Sequence, residues 1–288
     1  MKRLAVFAAI LAAITGPLRA GDSGFIRVDE DAKAARLQTG TTRYVKDGAT
    51  VDLIGSVHIG DKVYYEALNQ QFTKYEVVLF EMIGGEHINA QPAQPEPAEE
   101  EKARPSPLAV LYGTIAEGLA LAGQVDHIDY TAGNFLHADL TAEEFAEKQA
   151  ERGESLFSFF LESEKKSKSP DSLRLLYGLL MRRSDHLKLS IIHTLGAGDD
   201  QVAALAGDNV IIGDRNIRCL EVLARELAAG RKNVGIFYGA AHFPDMEKRL
   251  LADGFVRTNH EWLTAWNVLK PIHKPAAPVT PAPVRATN

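Results

Sequence analysis

The spacing of apolar positions changes several times along the chain, and each change marks an element. Residues 25–56 carry short extended patterns. Within them Lys46-Asp47-Gly48 offers a hairpin turn between Thr42-Arg43-Tyr44-Val45 and Val51-Asp52-Leu53-Ile54. From Asp61 the period becomes helical, with Tyr64, Leu68 and Phe72 on one face, and then Val77-Val78-Leu79-Phe80 forms a short apolar run that stops at Glu81. Residues 108–205 read as mostly helical; Thr141 can cap one of these helices, with Glu144 returning the bond to its amide. Ile211-Ile212-Gly213 leads into a helix opened by Asp214, which carries Ile217, Leu220, Leu223 and Leu227 on one face and stops at Gly230. Val234-Gly235-Ile236-Phe237-Tyr238 is a second buried strand, followed by a helix over 244–253 and an extended stretch over 255–269. Strands alternating with helices predict an α/β fold: a mixed sheet with a central parallel part, flanking helices and a helical insertion.

Two segments break this pattern. Residues 89–107 are rich in Pro, Glu, Gln and Ala, too poor in apolar surface to order themselves, and read as a mobile surface loop; residues 271–288 read as a disordered Pro- and Ala-rich tail. At the other end Met1-Lys2-Arg3 precedes an apolar run over 4–15 and then Gly16-Pro17-Leu18-Arg19-Ala20. This is the layout of a secretory signal peptide over 1–20, since the run falls short of the roughly 18 apolar residues of a spanning helix. The expectation is an exported protein, periplasmic or secreted, with one domain over 21–270 and no transmembrane segment in the mature chain. Cys219, the single cysteine, can form no intramolecular disulfide and sits in a helical apolar pattern that predicts burial. The 288 residues, 45% hydrophobic, suffice for one sizeable core, and a formal charge of −6 with scattered Lys and Arg makes nucleic acid an unlikely partner.

The chemistry sits at strand ends. Val51 to Ile54 runs into Gly55-Ser56-Val57-His58, and Val234 to Tyr238 runs into Gly239-Ala240-Ala241-His242, two matched Gly-x-x-His turns. In each the glycine is expected to let the chain turn sharply off the strand. If these strands and the one ending at Glu81 are parallel neighbours, His58, Glu81 and His242 gather at the carboxyl edge of one sheet, where open α/β folds bind ligands. Two imidazoles and a carboxylate suit a catalytic divalent metal with open positions for water and substrate, and the chemistry implied is hydrolysis. The other route is metal-free, with one imidazole as general base oriented by Glu81. Arg215, opening its helix, either clamps a substrate carboxylate or oxyanion or pairs with Glu81 or another acid; Asn216 reads as a structural amide holding a loop, and His137 with Asp139 offers either support behind the site or a further ligand, with packing or surface the favoured reading.

Gly55 and His58, Glu81, the Arg215-Asn216 pair, and Gly239 and His242 together resemble the TraB, GumN and Tiki family, over roughly residues 52–269. The chain is most similar to the exported bacterial GumN-like branch. The resemblance implies a fold like that of erythromycin esterase and the haem-associated ChaN proteins. It also implies a divalent-metal-dependent hydrolase, most plausibly a peptidase, with His58, Glu81 and His242 binding the metal, or Glu81 serving as general base, and Arg215 beside them. Manganese, cobalt and zinc are all candidates, and the partner is a peptide or small-molecule substrate. The competing expectations are esterase chemistry on the same residues, a haem- or metal-carrying envelope protein that turns nothing over, and an inactive pocket. The loop over 89–107 and the tail lie outside the shared pattern.

Overall fold

The computed structural model describes residues 24–88, 117, 119–154, 188–189, 191–192 and 209–270. The expected signal peptide, the loop over 89–107, most of the helical insertion and the tail lie outside the described residues.

The chain is α/β, with a mixed sheet between helices. The antiparallel part comes first: β1 (Ile26–Glu30), β2 (Ala34–Lys46) and β3 (Ala49–Ser56). The β2–β3 hairpin closes through Asp47 and Gly48, both at left-handed φ (50° and 75°), as the sequence predicts. After a two-residue strand β4 (Ile59–Gly60), helix α1 (Lys62–Phe72) buries Tyr64, Tyr65, Leu68 and Phe72 and returns the chain to β5 (Val77–Phe80). There follow β6 (Ala122–Gly123), which pairs with β4, a single helical turn α2 (Gln124–His127), β7 (Phe135–His137) and α3 (Ala142–Arg152). A π-helical turn (Val210–Asp214) then enters α4 (Arg215–Ala228), strand β8 (Asn233–Gly239), a 3₁₀ turn (Ala240–His242), α5 (Phe243–Ala252) and the long β9 (Val256–Leu269).

In the seven-stranded sheet the order β1-β2-β3-β8-β5-β7 places β8 between β3 and β5, and β9 pairs antiparallel with β2. The pairings β3–β8, β8–β5 and β5–β7 are parallel. Strand β7 departs from the expectation of a helical stretch: three residues are too few for a readable period, and the parallel partner that holds them, β5, lies more than fifty residues earlier in the chain. Each parallel strand buries side chains on both faces. Ile54, Val78, Phe80 and Phe237 pack with Tyr64, Leu68 and Phe72 of α1 on one face; Val51, Leu53, Leu79, Ile236 and Tyr238 pack with Cys219, Val222 and Leu223 of α4 and Met246 and Leu250 of α5 on the other. Cys219 is fully buried, and burial pushes its thiol well above the ordinary range, so it is a packing residue. Among the described residues no helix is long and apolar enough to cross a membrane.

Helix α3 begins with the expected capping box. The Thr141 side chain accepts from the Glu144 amide at 3.1 Å, and the Thr141 amide donates to Glu144 Oε2 at 2.9 Å. Glu144 Oε1 also takes Arg218 of α4 at 2.5 Å, so the cap ties α3 to α4. Thr141→Ala is expected to cost about 1 kcal/mol in a urea denaturation series, with the midpoint falling and the slope unchanged.

Candidate functional site

The register of the parallel strands determines which side chains meet. Ser56 of β3 stands opposite Gly239 of β8, Phe80 of β5 opposite Phe237 of β8, and Phe80 also opposite His137 of β7. Each strand therefore releases its next residues at the same edge of the sheet: Val57-His58, Glu81, Ala138-Asp139 and Ala240-Ala241-His242.

Arg215 joins three of these ends. Its Nη2 donates to Glu81 Oε1 at 2.6 Å and to Asp139 Oδ2 at 2.6 Å, and its Nε donates to Asp139 Oδ1 at 2.9 Å. The Asp139 side chain is wholly buried, and those of Arg215 and Glu81 nearly so. Glu81 Oε2 accepts from the Gly239 amide at 2.6 Å. Burial opposes the charge on Glu81, but Arg215, with the two imidazoles adding to it, outweighs burial and holds the carboxyl well below its ordinary range. Of the two roles expected for Arg215, pairing with Glu81 is the one found, and Asp139 is its second partner.

His242 lies in the 3₁₀ turn after β8, nearly buried, with Nε2 at 3.5 Å from both Glu81 Oε1 and Arg215 Nη1. Its tautomer follows from Asn216. Asn216 Nδ2 donates to the His242 carbonyl at 3.0 Å and to Asp245 Oδ2 at 2.9 Å, both pure acceptors. Oδ1 is thereby left to accept from His242 Nδ1 at 2.7 Å. In the neutral ring the proton sits on Nδ1 and the Nε2 lone pair faces the ion cluster, the arrangement by which a hydrogen-bonded partner orients a ligand or a base. Asn216 was expected to hold a loop by its amide; what it holds is the turn and ring of His242.

His58 keeps solvent access to part of its surface. Protein packed around the ring lowers its pKa, Glu81 pulls the other way, and Arg215 and His242 add to the lowering. The net direction leaves a neutral imidazole near pH 7. Its carbonyl accepts from the Gln124 amide at 2.9 Å, which joins the His58 turn to α2.

The glycines of the two motifs act through space rather than through a special dihedral. Neither has positive φ. A Cβ on Gly239 would stand 3.3 Å from Glu81 Oε2, and one on Gly55 would stand 3.0 Å from the Gly40 carbonyl. Gly239 is needed because its backbone must come close enough to donate to Glu81.

His137 serves structure: its Nε2 bonds the Met82 carbonyl at 2.7 Å and its ring packs on Phe80. Asp139, by contrast, belongs to the site through Arg215, a supporting role that the sequence offers but does not favour because β7 is hidden inside a helical-looking segment. The local signal is an acidic residue three positions beyond the apolar Phe135-Leu136 pair.

Among the described residues no three His, Cys, Asp or Glu side chains are grouped as a ready cage for a metal ion. Of the three expected ligands, His242 Nε2 and Glu81 Oε1 lie closest, and His58 is released at the same edge of the sheet. The Nε2 lone pair and the carboxylate already face one another at 3.5 Å. Glu81 and Asp139 formally carry two negative charges, and the guanidinium of Arg215 lies between them. Comparison with family models, curated proteins and solved structures finds no match to this chain.

Proposed function

We propose that this chain is an exported divalent-metal-dependent hydrolase of the TraB, GumN and Tiki kind, on an erythromycin esterase/ChaN-like fold, acting on peptides at the edge formed by His58, Glu81 and His242. The observation that carries the reading is His242 Nε2, its ring oriented by Asn216, lying 3.5 Å from an ionised Glu81 in a buried cluster with Arg215 and Asp139.

A bound divalent ion there supplies Lewis acidity and a water made acidic enough to deprotonate near neutral pH. The protein's own groups do the rest. Arg215, held by Asp139, keeps Glu81 ionised, so the carboxylate takes a cation rather than a proton. In the metal-free route, neutral His58, partly open to solvent, can instead accept a proton from water and return one to a leaving amine. Arg215 Nη1, at 3.5 Å from His242 Nε2, presents positive charge toward the reacting side, where a developing oxyanion gains from it.

Metal content decides the cofactor. Wild type incubated with manganese, cobalt or zinc and then desalted is expected to retain about one ion per chain by elemental analysis. His58→Ala and His242→Ala, folded by circular dichroism, are expected to retain far less. A wild type that holds none of the three ions refutes the metal mechanism and leaves the metal-free base reaction at His58 or His242. Metal held without any turnover of peptides or esters favours an envelope metal-binding protein instead.

A further inference from the structure

The guanidinium of Arg215 reaches Glu81 and Asp139 from the first position of α4, and the element that sets its direction is the π-helical turn over Val210–Asp214 just before it. A π-turn holds roughly one residue more than an α-turn, so relaxing it to α geometry would swing Arg215 by about 100° around the helix axis. The turn also gives the side chain a partner. In an α-helix the Arg215 amide would bond the carbonyl four residues back, that of Ile211. Here it bonds the Ile212 carbonyl, and Ile211 instead accepts from Arg215 Nη1 at 3.3 Å. The shape of the backbone before Arg215 and the aim of its guanidinium are therefore coupled.

The π-helix is rare, and a turn of it persists where its surroundings hold it. Part of the hold is local: the Asn209 side chain accepts from the Ile212 amide at 2.9 Å, and its carbonyl accepts from the Asp214 amide at 3.1 Å. The rest comes from the end of α3. Glu154 Oε2 accepts from the amide of Val210, the first residue of the turn, at 2.9 Å. Arg152 Nη2 donates to Oδ1 of Asp214, the last residue of the turn, at 2.9 Å. The two side chains flank Gly153, whose left-handed φ of 64° ends the helix. Asp214 is 6% exposed, and among the described residues Arg152 is the cation paired with its carboxylate, so this contact sits where an ion pair is costly to break. Apolar packing adds little: α3 buries one side chain, Phe145, in a cluster with Leu140 and Val210.

We propose that Arg152 and Glu154 are positioning residues of the site: they hold the two ends of the π-turn and so keep the Arg215 guanidinium on Glu81. They act through Arg215 and take no part in proton transfer. The inference extends the hydrolase reading above to these two residues, and only their effect on turnover rests on that reading; their effect on Arg215 does not.

The test uses the full chain and follows the Arg215 Nε–H, which donates to Asp139 at 2.9 Å, by NMR hydrogen exchange at fixed pH. Beside it, the initial rate of cleavage of a tryptic casein digest is measured on protein loaded in turn with manganese, cobalt and zinc. Arg152→Met and Glu154→Ala are expected to exchange the Arg215 Nε–H about tenfold faster than wild type and to cleave about tenfold more slowly. Arg152→Lys keeps the charge and Glu154→Gln keeps an acceptor, so both should stay within about threefold of wild type. Tyr44→Phe controls for lost stability. It removes a 2.7 Å bond to Glu247, on other elements, and should lower the unfolding midpoint while leaving Arg215 exchange unchanged. Exchange unmoved in Arg152→Met and Glu154→Ala, moved equally in Tyr44→Phe, unrescued by Arg152→Lys and Glu154→Gln, or too fast to observe in wild type overturns the clamp. Cleavage by wild type with exchange unmoved in the variants defeats the clamp alone, whereas the expected exchange pattern without cleavage defeats the hydrolase reading alone.

Discussion

Replacing Arg215 with methionine is expected to lower the unfolding free energy at pH 7 by about 3–5 kcal/mol, the largest stability loss of any single substitution proposed for this chain. Methionine keeps much of the volume and removes the charge. Glu81 and Asp139, both buried, then face one another across the gap without the guanidinium that bonds each at 2.6 Å. The loss has a pH signature. In wild type Glu81 is depressed well below its ordinary range by Arg215. Its contribution is thus fully present above the unfolded glutamate value of about 4.3 and is lost only as pH falls through the lower native value. In Arg215→Met burial acts on Glu81 with its chief counterweight gone, and the native pKa moves upward. The stability that goes with a raised pKa is present below about 4.3 and disappears as pH rises. The difference between the two proteins should therefore be largest near neutrality and narrow toward pH 4 in parallel urea series. A constant difference from pH 4 to 7.5 would mean that Arg215 contributes packing alone.

His242→Ala is expected to reduce hydrolysis by about 10²–10⁴-fold, with the fold intact, because it removes the ring nitrogen held 3.5 Å from Glu81 Oε1. Asn216→Ala tests the same nitrogen indirectly. Without the Oδ1 acceptor the ring no longer prefers the Nδ1–H tautomer, and the loss should be about 10–100-fold, falling mainly on kcat or on metal affinity. The acid limb of the wild-type pH–rate profile should lie below the ordinary histidine value of about 6.5, because burial lowers the pKa of His58. A limb above 6.5 would assign the essential proton to another group. His242→Ala with near wild-type turnover would remove His242 from the reaction.

Much of this arrangement is legible in the sequence because it is local. The Lys46-Asp47-Gly48 turn, the period of α1, the run that ends at Glu81 and the capping box at Thr141 each depend on residues within one turn or one strand of each other, and the structure has them where the spacing puts them. The strand that runs into His242 is of the same kind. What the sequence hides is long-range. That β8 lies between β3 and β5, and so brings His58 and His242 to the same edge as Glu81, is a property of the sheet and not of any window of residues. Asp139 is hidden twice, by a three-residue strand and by a partner 76 positions away in Arg215. The motif glycines illustrate a different limit. Their presence is plain, but their reason is a neighbour's atom, Glu81 Oε2 or the Gly40 carbonyl, and not a turn angle. Residue types thus indicate which groups could do chemistry, while the pairing of Arg215 with both Glu81 and Asp139 is revealed only by the fold.

The most direct measurement is to incubate the protein, loaded in turn with manganese, cobalt and zinc, with a defined peptide mixture and to read new termini by mass spectrometry, beside Glu81→Gln and His242→Ala. The account predicts cleavage by wild type with at least one of these metals, abolished by chelation and by both folded variants. Cleavage by wild type and both variants alike, or none by wild type with any of the three metals, would contradict it.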